Sequence, residues 1–190
     1  MGLLDERNYY KPFNYPWAFE AYKTQQHMHW LPDEVTLADD LKDYREKLSD
    51  DNRKLLSNIF RFFTQADVDV ACGYATHYLP TFKQPEVRMM LSAFANMEAV
   101  HQEAYSLLLE TLGYDDSEYQ MFTQVQAMSD KHEYLSKFDT DTRVGLAKTM
   151  AVYSAFTEGV QLFSSFAILL NFPRHNYMKG MGQIVTWSIR

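Results

Sequence analysis

The chain has 190 residues, of which 23% are charged and 15% are aromatic, and its formal net charge is −7. This composition is typical of a globular protein and excludes an extensively disordered one. The acidic balance argues against a nucleic-acid partner, and the single cysteine, Cys72, excludes an internal disulfide and fits a reducing cytoplasm.

The elements predicted in chain order are all helical, because helical periodicity dominates and no convincing alternating strand is present. Residues 1–14 are expected to form an irregular arm. The helices predicted after it cover residues 16–29, a short segment that starts at LADDLKDY with Thr36 as its cap, and residues 51–77, 85–112, 119–138, 141–171 and 176–190. Pro80 and Pro85 should bracket a loop, and Gly113 and Pro173 should each stop a helix. Three long helices without a dividing linker favour one all-α bundle over residues 1–190.

Targeting segments are not apparent in the sequence. The N-terminal residues MGLLDERNYYKPF are charged and contain no apolar run, unlike a secretory signal. The longest apolar stretch, VQLFSSFAILLNF, is too short and too polar to span a bilayer. We therefore expect a cytoplasmic protein with no membrane partner.

The segment EAVHQEAY places a carboxylate, an imidazole and a phenol on one helical stripe. With about 100° per residue, His101 falls about 60° and Tyr105 about 20° from Glu98. Apolar neighbours surround this stripe, so Glu98 and His101 should face a core, where a bare charge is costly unless it is paired or metal-bound. Glu-x-x-His on an inward face is the ligand unit of di-iron carboxylate bundles, although the motif alone is short and an exposed pair is the common alternative.

Two further carboxylates fall on predicted inward faces. Asp67 lies among apolar residues of the preceding long helix, where a hydrogen bond to the backbone or to an arginine is the alternative to metal binding. Asp69 falls about 200° away on the wheel and is expected to be solvated. Glu158 lies within an apolar stripe of the fourth long helix, with a salt bridge to Arg88 or Lys148 as the alternative. The members of that stripe are Ala151, Ala155, Glu158, Leu162 and Phe166.

Taken together these residues resemble the radical-generating small (beta) subunit of class I ribonucleotide reductase. The resemblance covers nearly the whole chain and rests on YPWAFEAYKTQQHMHWLPDEV, NIFRFFTQADVDV, EAVHQEAY and FTEGVQLFSSF. It implies a ferritin-like helical bundle that holds two metal ions, with dinuclear iron as the expected cofactor and a manganese–iron or dimanganese pair as alternatives. Iron and manganese share the same ligand types, so the sequence does not choose between them.

The resemblance also implies a role for each site residue. Asp67, Glu98 and His101 would ligate one metal ion, Glu98 would bridge to the second, and Glu158 would ligate that second ion. Tyr105 matches the tyrosine that is oxidised to a stable radical. Trp30 matches the tryptophan on the electron path towards the large subunit. A packed aromatic ring is the simpler alternative for both Tyr105 and Trp30.

The chain departs from the family pattern after Arg190. There the family continues with Asp-Glu-x-x-His, whose Glu and His supply ligands for the second metal ion. We therefore expect an N-terminal half of the bundle, lacking the helices after Arg190, which needs a complementary C-terminal half that carries the second Glu-x-x-His. The sequence leaves open whether the chain is a natural split product or a shortened one.

Three functional hypotheses follow. In the first, the completed subunit activates dioxygen, generates a tyrosyl radical and supports nucleotide reduction in a large (alpha) subunit; the completed subunit is expected to be a homodimer. In the second, the protein is a ferritin-like oxidase without a tyrosyl radical, against which Tyr105 argues. In the third, it is a catalytically silent helical assembly module. No phosphate-binding glycine loop is present, so nucleotide is not expected to bind this chain.

Overall fold

The computed structural model describes residues 2–190, so Met1 of the predicted arm lies outside the described part. Every regular element in residues 2–190 is helical, which confirms the all-α prediction. The α-helices are α1 (Pro16–His27), α2 (Ala38–Glu46), α3 (Asp50–Gly73), α4 (Pro85–Leu112), α5 (Gln126–Ser136), α6 (Arg143–Arg174) and α7 (Lys179–Ser188). Short 3₁₀ segments occupy Pro32–Glu34 and Asp116–Gln124.

Local sequence signals set several of these boundaries. Pro85 occupies the first turn of α4, where its missing amide hydrogen costs nothing, and Gly113 ends the helix with a φ of 86°. Pro16 starts α1 in the same way, and the Ser49 hydroxyl caps α3 by accepting a hydrogen bond from the Asn52 amide. The predicted bounds of α4 are therefore confirmed.

Other boundaries differ from the prediction. The helix expected over 119–138 is a 3₁₀ segment followed by α5, with Val125 between them. The residue at the N-terminus of α2 is Leu37 rather than Thr36, and it makes no side-chain cap. Pro173 lies inside the last turn of α6 rather than beyond it. The proline does not stop the helix at once, because tertiary packing of the last turn, where Phe172 is buried, outweighs its local cost.

Two helices contain π-helical segments with i→i+5 hydrogen bonds. One follows α3 at Tyr74–Tyr78 and the other is Val152–Leu162 within α6. A π segment shifts the phase of the side chains that follow it. The apolar stripe predicted on a regular helix is therefore only partly correct, since Ala151 and Ala155 are exposed whereas Leu162 is buried.

The packing of α3 against α4 builds the centre of the molecule. Phe63 lies between the rings of Tyr105 and Phe166, with centroid distances of 4.9 Å and 5.2 Å. The three rings are close to parallel, with interplanar angles of 6° and 13°. Stacked rings of this kind join α3, α4 and α6 into one apolar cluster around the middle of the bundle.

The N-terminal arm is held by a buried ion pair. Arg7 pairs with Glu86 of α4, and the other Glu86 oxygen accepts hydrogen bonds from the amides of Asn14 and Tyr15 at 2.8 Å and 2.9 Å. Burial raises the pKa of Glu86, but the backbone hydrogen bonds and Arg7 outweigh it and lower the pKa overall. The arm is irregular, as predicted, yet it is attached to the bundle.

The last helix is fixed to the bundle by two aspartates of α2. The fully buried Asp40 accepts hydrogen bonds from the amides of Gly180 and Met181 at 3.0 Å and 2.6 Å, and Asp43 accepts one from Met178 at 2.9 Å. These amides belong to the N-terminus of α7, where they have no partner within the helix. A Cβ atom at Gly180 would come within 2.6 Å of the Thr36 carbonyl oxygen, so glycine is required for this close approach.

Replacing Asp40 by Ala is expected to lower the free energy of unfolding by about 2–3 kcal/mol, because two buried amides lose their acceptor. Urea unfolding followed by circular dichroism measures the change. Asp39→Ala, which alters an exposed carboxylate of the same helix, is the control and should change stability by at most about 0.5 kcal/mol. Equal effects of the two substitutions would contradict the assignment.

One face of α6 is apolar and exposed. Phe156, Val160 and Phe163 are 62%, 59% and 53% exposed. By length and hydropathy, Arg143–Arg174 alone among residues 2–190 meets the requirements of a membrane span, so the expectation that no segment is long enough was wrong. The helix includes residues 143–159, which precede the apolar stretch read from the sequence, and this gives it the length of a span. Glu158 near its centre would be costly in a bilayer, and the helix packs on α3 through Phe166.

An apolar face of this size should bind another protein surface. We expect the isolated chain to self-associate and to bind a hydrophobic dye, and we expect the double substitution Phe156→Ser and Phe163→Ser to weaken both. Sedimentation velocity measures the association, with Tyr134→Ser as a control that removes an equally exposed ring from α5. A monomeric chain that melts cooperatively and binds no dye would show that this face needs no partner.

Candidate metal centre

The four predicted ligands come from three helices. Asp67 lies in α3, Glu98 and His101 lie one turn apart in α4, and Glu158 lies in the π segment of α6. Asp67 and Glu98 are buried, and His101 and Glu158 are half-buried. His101 Nδ1 is 3.5 Å from Glu98 Oε2, which confirms that the Glu-x-x-His pair shares one helix face.

Three of these residues line one cavity. Glu98, His101 and Glu158 face a space of about 230 Å³, together with residues of α1, the end of α3 and α7. Trp187 and Arg190 line the same cavity, so the residues of and after α7 reach its wall. Asp67 does not line the cavity, but its charge interacts with those of Glu98 and Glu158 from within the core.

Buried polar atoms without a partner are concentrated here. In residues 2–190, six buried side-chain nitrogen or oxygen atoms have no hydrogen-bond partner. Four of the six belong to residues that the sequence assigned to the site: Trp30 Nε1, Asp67 Oδ2, Tyr105 Oη and Glu158 Oε1. A fifth, Lys131 Nζ, lies nearby. Native proteins leave few such groups unpaired, so their grouping at one place indicates that something else binds there.

The pKa values of Asp67 and Glu158 are raised. Burial, followed by the charges of Glu98 and Glu158, raises the pKa of Asp67 well above its usual value. Burial and the charge of Glu98 raise the pKa of Glu158 to about 7, although His101 and Lys131 act in the opposite direction. Acidic groups that repel each other inside a protein are typical of sites that bind cations.

The donor set fits part of a dinuclear site. In residues 2–190, no group of three or more His, Cys, Asp or Glu side chains is arranged to hold a metal ion as it stands. The orphaned oxygens of Asp67 and Glu158 nevertheless provide free acceptors, and three carboxylates with one imidazole are ligands that iron and manganese accept. The residues present are therefore chemically suited to a metal centre that further ligands would complete.

Tyr105 lies in the core one turn beyond His101. Only 1% of its surface is exposed, and the ring of Phe63 stacks on it. Its hydroxyl makes no hydrogen bond of good geometry, although the hydroxyl of Ser188 is close enough to influence its pKa. Burial and the charge of Asp67 raise the pKa of Tyr105, which keeps the phenol protonated.

Trp30 is buried beside the imidazole of the site. Its ring centroid is 6.1 Å from that of His101 and 5.4 Å from that of Trp187. The indole Nε1 donor has no partner. The structure thus brings Trp30 to the histidine, as expected for a residue on a path from the site, and leaves an indole donor free for an acceptor.

Sequence reasoning misjudged one aspartate and missed two residues. Asp69 is buried, not solvated, because α5 packs on that side of α3 and His132 Nδ1 lies 2.7 Å from Asp69 Oδ1. Tyr74 lines the cavity with Glu158 and begins the π segment after α3. Lys131 of α5 is the nearby buried cation. A π segment and a contact from a distant helix leave no periodic signal in the sequence.

Neither proposed salt bridge to Glu158 is formed in residues 2–190. The guanidinium of Arg88 donates instead to the carbonyl oxygen of Leu79, at 3.2 Å and 3.3 Å. Glu158 Oε1 is buried and unpaired. The structure therefore favours the interpretation of Glu158 as a ligand over that of a structural ion pair.

Long helices that direct Asp, Glu and His side chains towards one interior region define the class of ferritin-like carboxylate bundles. The family profile described as "Ribonucleotide reductase, small chain" matches residues 7–190. The chain belongs to this family.

Curated relatives from two viruses cover the whole chain. The probable ribonucleoside-diphosphate reductase small subunit of Invertebrate iridescent virus 6 is 50% identical, over 100% of this chain and 56% of its own length. The corresponding protein of Invertebrate iridescent virus 3 is 46% identical, over 98% of this chain and 54% of its own length. The chain thus spans about half the length of these relatives.

Solved structures confirm the ferritin-like fold. The ribonucleotide reductase R2 subunit from Clostridium botulinum superposes with a TM-score of 0.85 at 20% identity, over 95% of this chain and 59% of its own. An R2-like ligand-binding oxidase with a Mn/Fe cofactor gives a TM-score of 0.72 at 18% identity, over 90% of this chain and 66% of its own. The dimanganese(II) NrdF protein of Streptococcus sanguinis gives 0.64 at 19% identity, over 96% and 66%. The partial coverage agrees with the predicted incomplete bundle.

The stability of the metal-free chain should fall as pH rises. The pKa of Glu158 is about 7 in the folded protein against an ordinary value of 4.5, so the folded state holds its proton more tightly. The contribution is fully present below about pH 4.5 and is lost as pH rises through about 7. Glu158→Gln should exceed the wild type by about 1 kcal/mol at pH 5 and by roughly 3 kcal/mol at pH 8.

Urea unfolding in the presence of a chelator measures this difference at the two pH values. Glu103→Gln, which alters an exposed glutamate of α4, should follow the wild type at both. If Glu158→Gln also followed the wild type at both, Glu158 would not be held among repelling charges.

Proposed function

We propose that this chain is the N-terminal part of a radical-generating ribonucleotide reductase small subunit. Residues 1–190 would form one ferritin-like part that supplies Asp67, Glu98, His101 and Glu158 to a dinuclear metal centre. The observation that carries the proposal is the group of unpaired buried atoms at these positions, in a chain that belongs to this family. When bound, a pair of iron or manganese ions would supply the one-electron chemistry with dioxygen that a phenol cannot perform alone.

Residues of this chain would carry out the steps that the metal ions do not. Tyr105 would release one electron to the metal pair together with its phenolic proton, and Asp67 is the charged group with the largest effect on its pKa. The ring of Phe63 stacks on the phenol and that of Phe166 stacks on Phe63, and together they would exclude water, which would otherwise quench an oxidised tyrosine. Dinuclear iron remains the expected cofactor; the Mn/Fe and dimanganese fold neighbours support the two alternatives equally.

Trp30 would carry electrons between the centre and a separate large subunit. Its ring is close to His101 on one side and to Trp187 on the other. The unpaired indole donor supports an acceptor from outside the described chain, because a buried N–H group is seldom left without one. Nucleotide reduction itself would take place on the large subunit.

A complementary C-terminal segment would complete the centre. Its support is threefold: the relatives are about twice as long, this chain supplies only four of the six expected ligands, and the α6 face around Phe156 is apolar and exposed. That segment would carry the second Glu-x-x-His and cover the face. The completed subunit would form a homodimer, and the free, exposed Cys72 fits a reducing cytoplasm.

The oxidase hypothesis also has an observation in its favour. A second cavity of about 230 Å³ adjoins Glu158 and is lined mainly by apolar and aromatic residues. A space of this kind next to the metal centre suits a small apolar ligand. The two hypotheses differ in whether Tyr105 is oxidised, and electron paramagnetic resonance distinguishes them.

The test combines this chain with a polypeptide that carries the second Glu-x-x-His, and adds ferrous iron and then oxygen. We expect retained iron and a tyrosyl signal. Glu98→Ala should abolish iron retention, whereas Glu103→Ala on the exposed side of α4 should not. Tyr105→Phe should retain iron and lose the signal, and Tyr134→Phe should keep both.

The three functional hypotheses predict different outcomes of this test. Iron retention without a tyrosyl signal in the wild type would favour the oxidase. Failure of the wild-type pair to retain either iron or manganese, with both polypeptides folded, would leave only the assembly module.

A further inference from the structure

A buried lysine lies beside the candidate metal centre and has no part in the roles assigned so far. Lys131 belongs to α5, and its Nζ is buried without a hydrogen-bond partner. The ring of Phe62 lies beneath this nitrogen, 4.6 Å from it to the ring centroid. An unpaired ammonium group inside a protein is costly, so its position requires an explanation.

His132, the residue after Lys131, attaches this part of α5 to α3, the helix that carries Asp67. His132 Nδ1 is 2.7 Å from Asp69 Oδ1, and Gln65 Nε2 donates to the same oxygen at 2.6 Å. Lys131 itself lines a small cleft with Asp69 and with Ala66, the residue before Asp67. Lys131 is therefore held on the side of α3 that carries Asp69, and it does not line the cavity of Glu98, His101 and Glu158.

The ammonium group of Lys131 interacts electrostatically with the nearby carboxylates. Burial lowers the pKa of Lys131, and the carboxylates of Asp69, Glu158 and Asp67 oppose that shift. In return, Lys131 lowers the pKa of Asp67 and of Glu158 against the larger effects of burial and of Glu98. Lys131 is thus a fixed positive charge that partly compensates an excess of negative charge.

We propose that Lys131 is the resident counter-cation of the metal-free carboxylate cluster and that it lowers the affinity of the cluster for divalent ions. The inference rests on the metal site proposed above. A divalent ion among the carboxylates removes the negative charge that compensates Lys131 and adds repulsion in its place. Because charges several ångströms apart interact appreciably inside proteins, the effect should be measurable as a change in the dissociation constant.

The structural alternative is that Lys131 only packs its aliphatic chain and its charge against Phe62. Such packing and cation–π contacts are common for long basic side chains. This alternative predicts that removing the charge alters the stability of the protein without altering its affinity for a metal ion.

The experiment is a Mn²⁺ titration of this chain combined with the polypeptide that carries the second Glu-x-x-His, followed by the electron paramagnetic resonance signal of the free ion. Lys131→Met removes the charge while retaining a long apolar chain, and should tighten binding about tenfold, or about 1.4 kcal/mol. Lys131→Arg keeps the charge and should bind within about twofold of the wild type. Lys137→Met, which removes an exposed charge next to the same helix, is the matched control and should also bind like the wild type.

Unchanged Mn²⁺ affinity in Lys131→Met overturns the inference and leaves the metal site intact. If neither the wild type nor any variant binds Mn²⁺, the metal site itself fails and the inference falls with it. Lys131→Gln replaces Lys131→Met if the latter does not fold.

A double-substitution cycle in the metal-free protein checks the electrostatic step separately. Lys131→Met should lower the free energy of unfolding more in the wild-type background than in the Asp67→Asn background. Only the wild-type background retains the attraction between Lys131 and the Asp67 carboxylate. Urea midpoints that shift equally in both backgrounds would overturn the counter-cation role.

Discussion

The structure depends on the placement of acidic side chains inside an apolar bundle. Asp67, Glu98 and Glu158 are brought together by three helices whose other contacts are largely aromatic and aliphatic. Because burial and the charge of Glu98 disfavour the ionised forms of Asp67 and Glu158, this arrangement lowers the stability of the folded chain at neutral pH. Such a cost is understandable where a cation is bound in the working protein, and the unpaired oxygens of Asp67 and Glu158 agree with that purpose.

The parts of the fold that local chemistry controls were predictable from the sequence. Pro85 and Gly113 mark the two ends of α4 because each has a backbone restriction that suits its position. The fixed rotation per residue of an α-helix then places Glu98, His101 and Tyr105 on one stripe, and all three face the interior or the cavity. The candidate ligands were thus selected by periodicity, and the roles proposed for them came from the family resemblance.

The remaining features depend on contacts between distant segments. A helical wheel gives Asp69 the face opposite Asp67, but α5 covers that face and buries it. The π segment of α6 breaks the regular spacing on which the stripe from Ala151 to Phe166 was based. Lys131 belongs to no motif in the sequence, and its position next to α3 becomes evident only in the folded structure. No periodic pattern encodes these relations, because tertiary packing creates them.

The attachment of α7 through Asp40 has a consequence for the aromatic residues near the cavity. The same helix carries Trp187, which touches Trp30, and its far end forms part of the cavity wall. Two aspartates more than 130 residues earlier in the chain therefore govern whether that wall is closed. If α7 separated from α2, the part of the cavity wall that Trp187 and Arg190 form would open, and the two indole rings would move apart with it. The enclosure of the carboxylates and the pairing of the two tryptophans therefore depend on the same pair of buried aspartates.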